Sequence, residues 1–184
     1  MNKPCYAAIK THSRHKPVLI FVSSRRQTRL TAMDLIAYNN NDDDPINFFM
    51  NNTNDNTDNN EKDSSSSLQS DFFHFSSLAA DPSLSHSLRF GIGLHHAGLI
   101  DSDKALVEKL FREQKILVLV ATSTLAWGMN LPAHLVIIKG KFIHAHIHSF
   151  ITMRKTYSTL YMNINNNLFS QFCVHAEFYQ NSNY

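Results

Sequence analysis

Four short apolar blocks organise the chain. Val18–Val22 (VLIFV) and Ile116–Ala121 (ILVLVA) are continuous and rich in β-branched residues, the pattern of strands buried on both faces. Leu135–Ile138 (LVII) repeats it, and Phe90–His95 (FGIGLH) is a weaker version thinned by two glycines. Between these blocks the apolar spacing becomes helical. Arg25–Tyr38 places Leu30, Met33, Ile36 and Ala37 on one face,. Asp101–Glu113 has an acidic opening, an apolar stripe at Leu106, Val107, Leu110 and Phe111, and a Glu108/Arg112 pair one turn apart,. Strand and helix alternate, so the pattern predicts an α/β fold: a parallel sheet with flanking helices joined by crossovers.

Two stretches break the alternation. Residues 39–71 are asparagine, aspartate and serine with few apolar anchors; ten of the chain's 18 asparagines fall between Asn39 and Asn60. Such a segment cannot bury enough surface to offset its ordering entropy, and the composition predicts a disordered acidic insertion. Phe72, Phe73 and Phe75 mark the expected return to the core. Residues 141–184 carry alternating His144, His146 and His148, then an asparagine run and an uncharged aromatic end. No carboxylate or cysteine completes a local ligand set there, so no metal site is expected.

Charge matters once it is divided along the chain. The net charge of +2 over 184 residues hides +6 in residues 1–38, −8 in residues 39–87 and +4 in residues 88–184. Two basic blocks flank an acidic spacer, which leaves room for a polyanion-binding surface. Two cysteines, Cys5 and Cys173, form neither a disulfide framework nor a closely spaced zinc pair, as suits a reducing compartment. No apolar run approaches the roughly 18 residues of a membrane span, and the start has no signal-peptide core. A soluble nuclear or cytoplasmic protein without a membrane partner is expected.

Polar clusters follow three of the strands directly: Ser23-Ser24-Arg25-Arg26-Gln27, His95-His96-Ala97-Gly98 and Thr122-Ser123-Thr124. In a parallel sheet all three reach the carboxyl edge, where open α/β sheets bind ligands. Their chemistry suits a phosphate backbone. Ser23 and Ser24 supply hydroxyls ahead of a helix N-terminus, and Arg25 and Arg26 add charge-assisted bonds. The same residues also read as a capped helix start with solvated arginines. His95 and His96 point to opposite faces of a strand and cannot share one metal; one of them is expected inside. Gly98 and Gly128 permit close backbone approach, while Trp127 reads as a packing anchor. The chain contains no phosphate-cradling G-x-x-x-x-G-K-[ST] loop and no acidic box for magnesium, so a complete ATPase site is not encoded in it.

Three stretches, Lys16–Ala32 (KPVLIFVSSRRQTRLTA), Phe90–Leu99 (FGIGLHHAGL) and Val118–Gly140 (VLVATSTLAWGMNLPAHLVIIKG), resemble helicase motifs IV, IVa and V. These motifs belong to the second RecA-like domain of the large superfamily-two DEXH helicases with paired cassettes. Met1–Cys5 (MNKPC) is similar to the lead-in to motif IV, and the likeness covers about 90 residues, in 1–38 and 88–140. The resemblance implies an incomplete RecA-like domain over 1–38 and 72–140, interrupted by the insertion 39–71 and followed by a non-family tail at 141–184. It implies a fragment of an enzyme that moves 3′-to-5′ on RNA or DNA by closing two RecA-like domains on ATP and Mg2+. Carried over by residue, it makes Ser23, Arg25, His96, Gly98, Thr122 and Thr124 nucleic-acid backbone contacts, and Gly128 and Asn130 nucleotide-facing. Its implied partners are a single strand, the first RecA-like domain and a complex of cointegrator type. Motifs I, Ia, II, III and VI have no counterpart here, so no cofactor and no catalysis are expected of this chain alone. The alternative is a non-catalytic nucleic-acid-binding or dominant-negative interaction module.

Overall fold

A computed structural model describes residues 2–49, 73–122, 125, 131 and 133–139, and the backbone of 160–164. In chain order its elements are α1 (Asn2–His12), β1 (Val18–Val22), α2 (Arg25–Asn40), α3 (residues 73–78), α4 (Pro82–Leu88), β2 (Ile92–His95), α5 (Asp101–Arg112), β3 (Val118–Thr122), β4 (Leu135–Lys139) and β5 (Leu160–Ile164). The strands form one parallel sheet of five in the order β2-β3-β1-β4-β5. This is the α/β architecture that the strand–helix alternation predicts.

The central strand β1 is buried at every position, which is why its sequence is an unbroken apolar run rather than an alternating one. Register decides which way its neighbours' side chains face. Val22 pairs with Thr122 on one side and with Lys139 on the other. Lys139 reaches Thr31 of α2, so these three positions face α2. His95 pairs with Ala121, one step back, and reaches Glu108 of α5. The two helices therefore cover opposite faces of the sheet, as right-handed crossovers require when one runs from β1 out to β2 and the next runs back from β2 to β3,.

Four departures from the sequence pattern have physical causes. First, α2 buries Thr28, Thr31, Ala32, Leu35 and Ile36, while Leu30 and Met33 are 43% and 39% exposed. The buried stripe is rotated from the expected one because two threonines belong to it. Thr28 Oγ1 donates to the Arg25 carbonyl at 2.7 Å, and Thr31 Oγ1 accepts from Lys139, so both hydroxyls are satisfied inside,. Second, Glu108 lies 2.8 Å from His95 Nε2 and forms no pair with Arg112 among the described residues.

Third, residues 39–49, expected to open the disordered insertion, belong to the fold. The Asn39 side chain accepts from the Ile46 amide at 2.7 Å and donates to its carbonyl at 3.1 Å, standing in for a strand partner. Ile46 and Phe48 enter the core, the Phe48 carbonyl accepts from the Leu117 amide at 2.9 Å, and Phe49 bridges to Ile116. Asp42 accepts from Tyr6 at 2.9 Å and from Lys10 at 2.6 Å, and Asp44 pairs with Arg14. The Lys10 bond holds the Asp42 carboxyl down at about 2, and burial followed by Asp42 pushes the Tyr6 hydroxyl up to about 12. The expected insertion over 50–71 lies outside the described residues.

Fourth, α1, α4 and β5 carry no strong pattern. Pro4 sits in the first turn of α1, where its missing N–H is not needed. The α4 segment is serine-rich but starts on an Asp81 cap and Pro82,. β5 comes from the tail and pairs parallel with β4 over Leu135–Lys139.

Candidate nucleic-acid interface

Ser23 and Ser24 leave β1 at its carboxyl end and open α2. Ser24 is extended, and its Oγ accepts from the Gln27 amide at 3.3 Å. This N-cap orients the first turn. Ser23 and Arg25 are both exposed, so their polar groups face outward beside the free N–H groups of a 16-residue helix,.

The β2 cluster meets them from the other side of the edge. Gly98 is exposed, in the turn closed by the Leu99 amide on the His96 carbonyl at 3.1 Å. A β-carbon on Gly98 would lie 2.5 Å from Arg25 Nη1 and 2.8 Å from Cζ, so the guanidinium rests against the Gly98 backbone. Among the described residues that guanidinium donates no hydrogen bond and joins no ion pair. His96 is 1% exposed, and neither ring nitrogen has a partner among the described residues. Burial, and next the charge of Arg25, push its pKa down, so the ring is neutral. Both histidines are buried, not one as the strand pattern suggested. His95 reaches Glu108, and burial holds its pKa down against the pull of that carboxylate.

Thr122 ends β3 half-buried, in register with Val22. It therefore stands at the same edge as Ser23. Thr124, Gly128 and Asn130, with Ser123 and Trp127, lie outside the described residues, as do His144, His146 and His148. Of the eight expected site residues, the fold brings Ser23, Arg25, His96, Gly98 and Thr122 to one edge, with His96 beneath the surface.

Two further groups support that edge, and the sequence pattern did not single them out. Lys139 is only 7% exposed, and its Nζ donates to Thr31 Oγ1 at 3.0 Å and to Gln27 Oε1 at 3.4 Å. Burial lowers its pKa. It ties the end of β4 to the first turns of α2. Its signal was a lysine closing a buried apolar run. Arg29, one turn beyond Arg25, pairs with Asp81 at 3.1 Å. Burial works against the Asp81 charge, but the Leu84 and Ser83 amides and Arg29 outweigh it and keep the carboxyl below its usual range. Asp103, itself buried, accepts from the Ala80 and Asp81 amides at 3.0 Å each.

The result is an exposed hydroxyl, a helix N-terminus and an arginine unpaired among the described residues, at one sheet edge. Such a set suits phosphate oxygens. Among the described residues no three metal-ligating side chains converge, and no helix is long and apolar enough to cross a membrane.

No family model matches the chain. It is 57% identical over 140 residues to the DExH-box ATP-dependent RNA helicase DExH14 of Arabidopsis thaliana. It is 55% identical over 142 residues to activating signal cointegrator 1 complex subunit 3 of Dictyostelium discoideum, and 51% identical over 157 residues to the RQC trigger complex helicase SLH1 of Saccharomyces cerevisiae. These matches cover 76%, 76% and 85% of this chain, but the chain spans only 6%, 6% and 7% of the lengths of those relatives.

Proposed function

We propose that this chain, which belongs to the DExH-box helicase family, forms part of a second RecA-like domain whose carboxyl edge grips the backbone of single-stranded RNA or DNA. Its role is that of one half of a 3′-to-5′ translocation groove, completed by a first RecA-like domain within a longer polypeptide. Ser23, Arg25 and Thr122 take phosphate oxygens, together with Thr124, while His96 packs under them. Gly128 and Asn130 face the nucleotide and couple it to the strand. The helicase-like motifs lie in 1–38 and 72–140; residues 39–49 pack with them, and β5, from the 141–184 tail outside the family pattern, extends the same sheet. Association with a cointegrator-type complex in the nucleus or cytoplasm completes the proposal.

The observation that carries this reading is the Arg25 guanidinium seated at the carboxyl edge beside Ser23, with no ion-pair partner among the described residues. An arginine so placed at the N-terminus of a helix suits an anion. The chain's own residues do not fit ATP and Mg2+ as a complete site, because phosphoryl transfer needs a phosphate loop and magnesium carboxylates that the sequence lacks,. Binding of the strand is therefore the activity to measure.

Titrating salt against binding to two unrelated single strands is the test. Affinity is expected to be weak and equal for the two sequences, with a slope reporting about 2–4 released counterions. Arg25→Ala lowers affinity for both strands alike and reduces the slope by about one. His146→Ala changes neither. Sequence-selective binding, or a loss that follows His146 instead of Arg25, would overturn the assignment.

A further inference from the structure

Three glycines in the described fold have crowded β-carbon positions, and they are crowded by different things. At Gly91 the obstacle is the Phe48 backbone, and at Gly93 it is the Ile116, Val107 and Leu119 side chains; both are packing inside the domain. At Gly98 the three nearest atoms all belong to the guanidinium of Arg25, 73 positions earlier in the chain and on another element. Gly98 does not need glycine for its backbone, because Gly91 has the one positive φ among the described glycines. The missing side chain therefore serves a contact. A flat guanidinium can lie directly on a peptide surface only where no β-carbon intervenes.

Without that seat Arg25 would be a long exposed side chain with nothing to hold it. Ordering such a chain when a ligand arrives costs affinity, and a group already in place avoids that cost. No carboxylate among the described residues competes for Arg25. His96 fills the volume nearby as a neutral ring, so it adds no repelling charge.

We propose that Gly98 is a positioning residue that holds the Arg25 guanidinium in place for a phosphate oxygen and does not itself touch the strand. The proposal rests on the phosphate-binding reading for its consequence, but its geometry is testable without nucleic acid. The experiment uses the isotope-labelled full chain and Arg25→Ala, Arg25→Lys, Gly98→Ala and Arg25→Ala/Gly98→Ala variants. In the free protein, Gly98→Ala moves the Arg25 Nε–H resonance to the position of a solvated arginine and leaves the denaturation midpoint unchanged. On a short single strand, Gly98→Ala weakens binding about three- to tenfold, close to the loss from Arg25→Ala, and the double variant binds no worse than Arg25→Ala alone. Arg25→Lys, which keeps the charge but not the flat fork, loses affinity as well.

An unmoved Nε–H resonance overturns the seat. So does a Gly98→Ala loss that persists undiminished when Arg25 is already alanine, which would mean that Gly98 meets the strand directly. Arg25→Lys binding as tightly as the wild type overturns it too. Wild-type affinity in Arg25→Ala, by contrast, overturns the phosphate reading, whatever the free-state resonance does.

Discussion

Gly91→Ala is expected to destabilise the domain by about 3 kcal/mol or more, measured by urea denaturation at equilibrium. Gly91 has φ of 75°, and a β-carbon there would lie 2.5 Å from the Phe48 carbonyl oxygen and 2.8 Å from its carbon. The left-handed conformation alone costs an alanine about 1–2 kcal/mol. The clash adds more, because the obstacle is backbone that already accepts from the Leu117 amide at 2.9 Å and cannot turn aside like a side chain. Relief requires residues 46–49 to lift from Ile116 and Leu117 just ahead of β3, taking the buried Ile46 and Phe48 with them. Gly93→Ala should cost less, about 1–3 kcal/mol, because its obstacles are the Ile116 and Val107 methyl groups at 2.8 Å,. A loss below about 1 kcal/mol at Gly91 would contradict this account of the turn.

Asp103→Ala is expected to cost a similar amount, about 3 kcal/mol, by a different route. Its carboxylate is 1% exposed and accepts the Ala80 and Asp81 amides, one on each oxygen, at 3.0 Å. Losing it strands two donors, and each hydrogen bond to a charged group is worth about 1.5–3 kcal/mol. The damage spreads, because Asp81 caps α4 through Ser83 and Leu84 at 2.9 and 3.1 Å and holds Arg29 of α2. Asp103→Asn keeps one acceptor and should lose about half as much. Amide hydrogen exchange is the companion measurement: protection should fall from Ala80 to Leu84 while β1 stays protected. An unchanged midpoint, or uniform loss of protection across the sheet, would refute the latch.

What the chain's pattern disclosed follows from how parallel sheets are buried. β1, β3 and β4 are covered on both faces, so their sequences are continuous apolar runs that need no context,. The strand ends then place Ser23, Arg25, Gly98 and Thr122 at one edge from the sequence alone. Helix faces were less legible, because a pattern that counts Thr28 and Thr31 as polar cannot know that one hydroxyl turns back to its own helix and the other meets Lys139. Asn39 and Asp42 read as low-complexity composition, yet their side chains bond Ile46 and Lys10 and draw residues 39–49 into the fold. The contact between Arg25 and Gly98 was not, because nothing local joins two residues so distant in sequence.

The edge that carries the strand is identified most directly by backbone amide shifts of the isotope-labelled chain titrated with a short single strand at low salt. The opposite, amino edge offers a rival surface: Arg89 sits 5.2 Å over the Phe73 ring and Lys115 5.1 Å over Phe75, with Phe73 63% exposed. Aromatic and cationic groups of that kind stack bases in other single-strand binders. Shifts confined to Ser23–Arg26, His96–Gly98 and Thr122, equal for unrelated sequences and abolished by salt, are the predicted result. Shifts that gather instead on Phe73, Phe75, Arg89 and Lys115, with Arg25 and Gly98 unmoved, would contradict it.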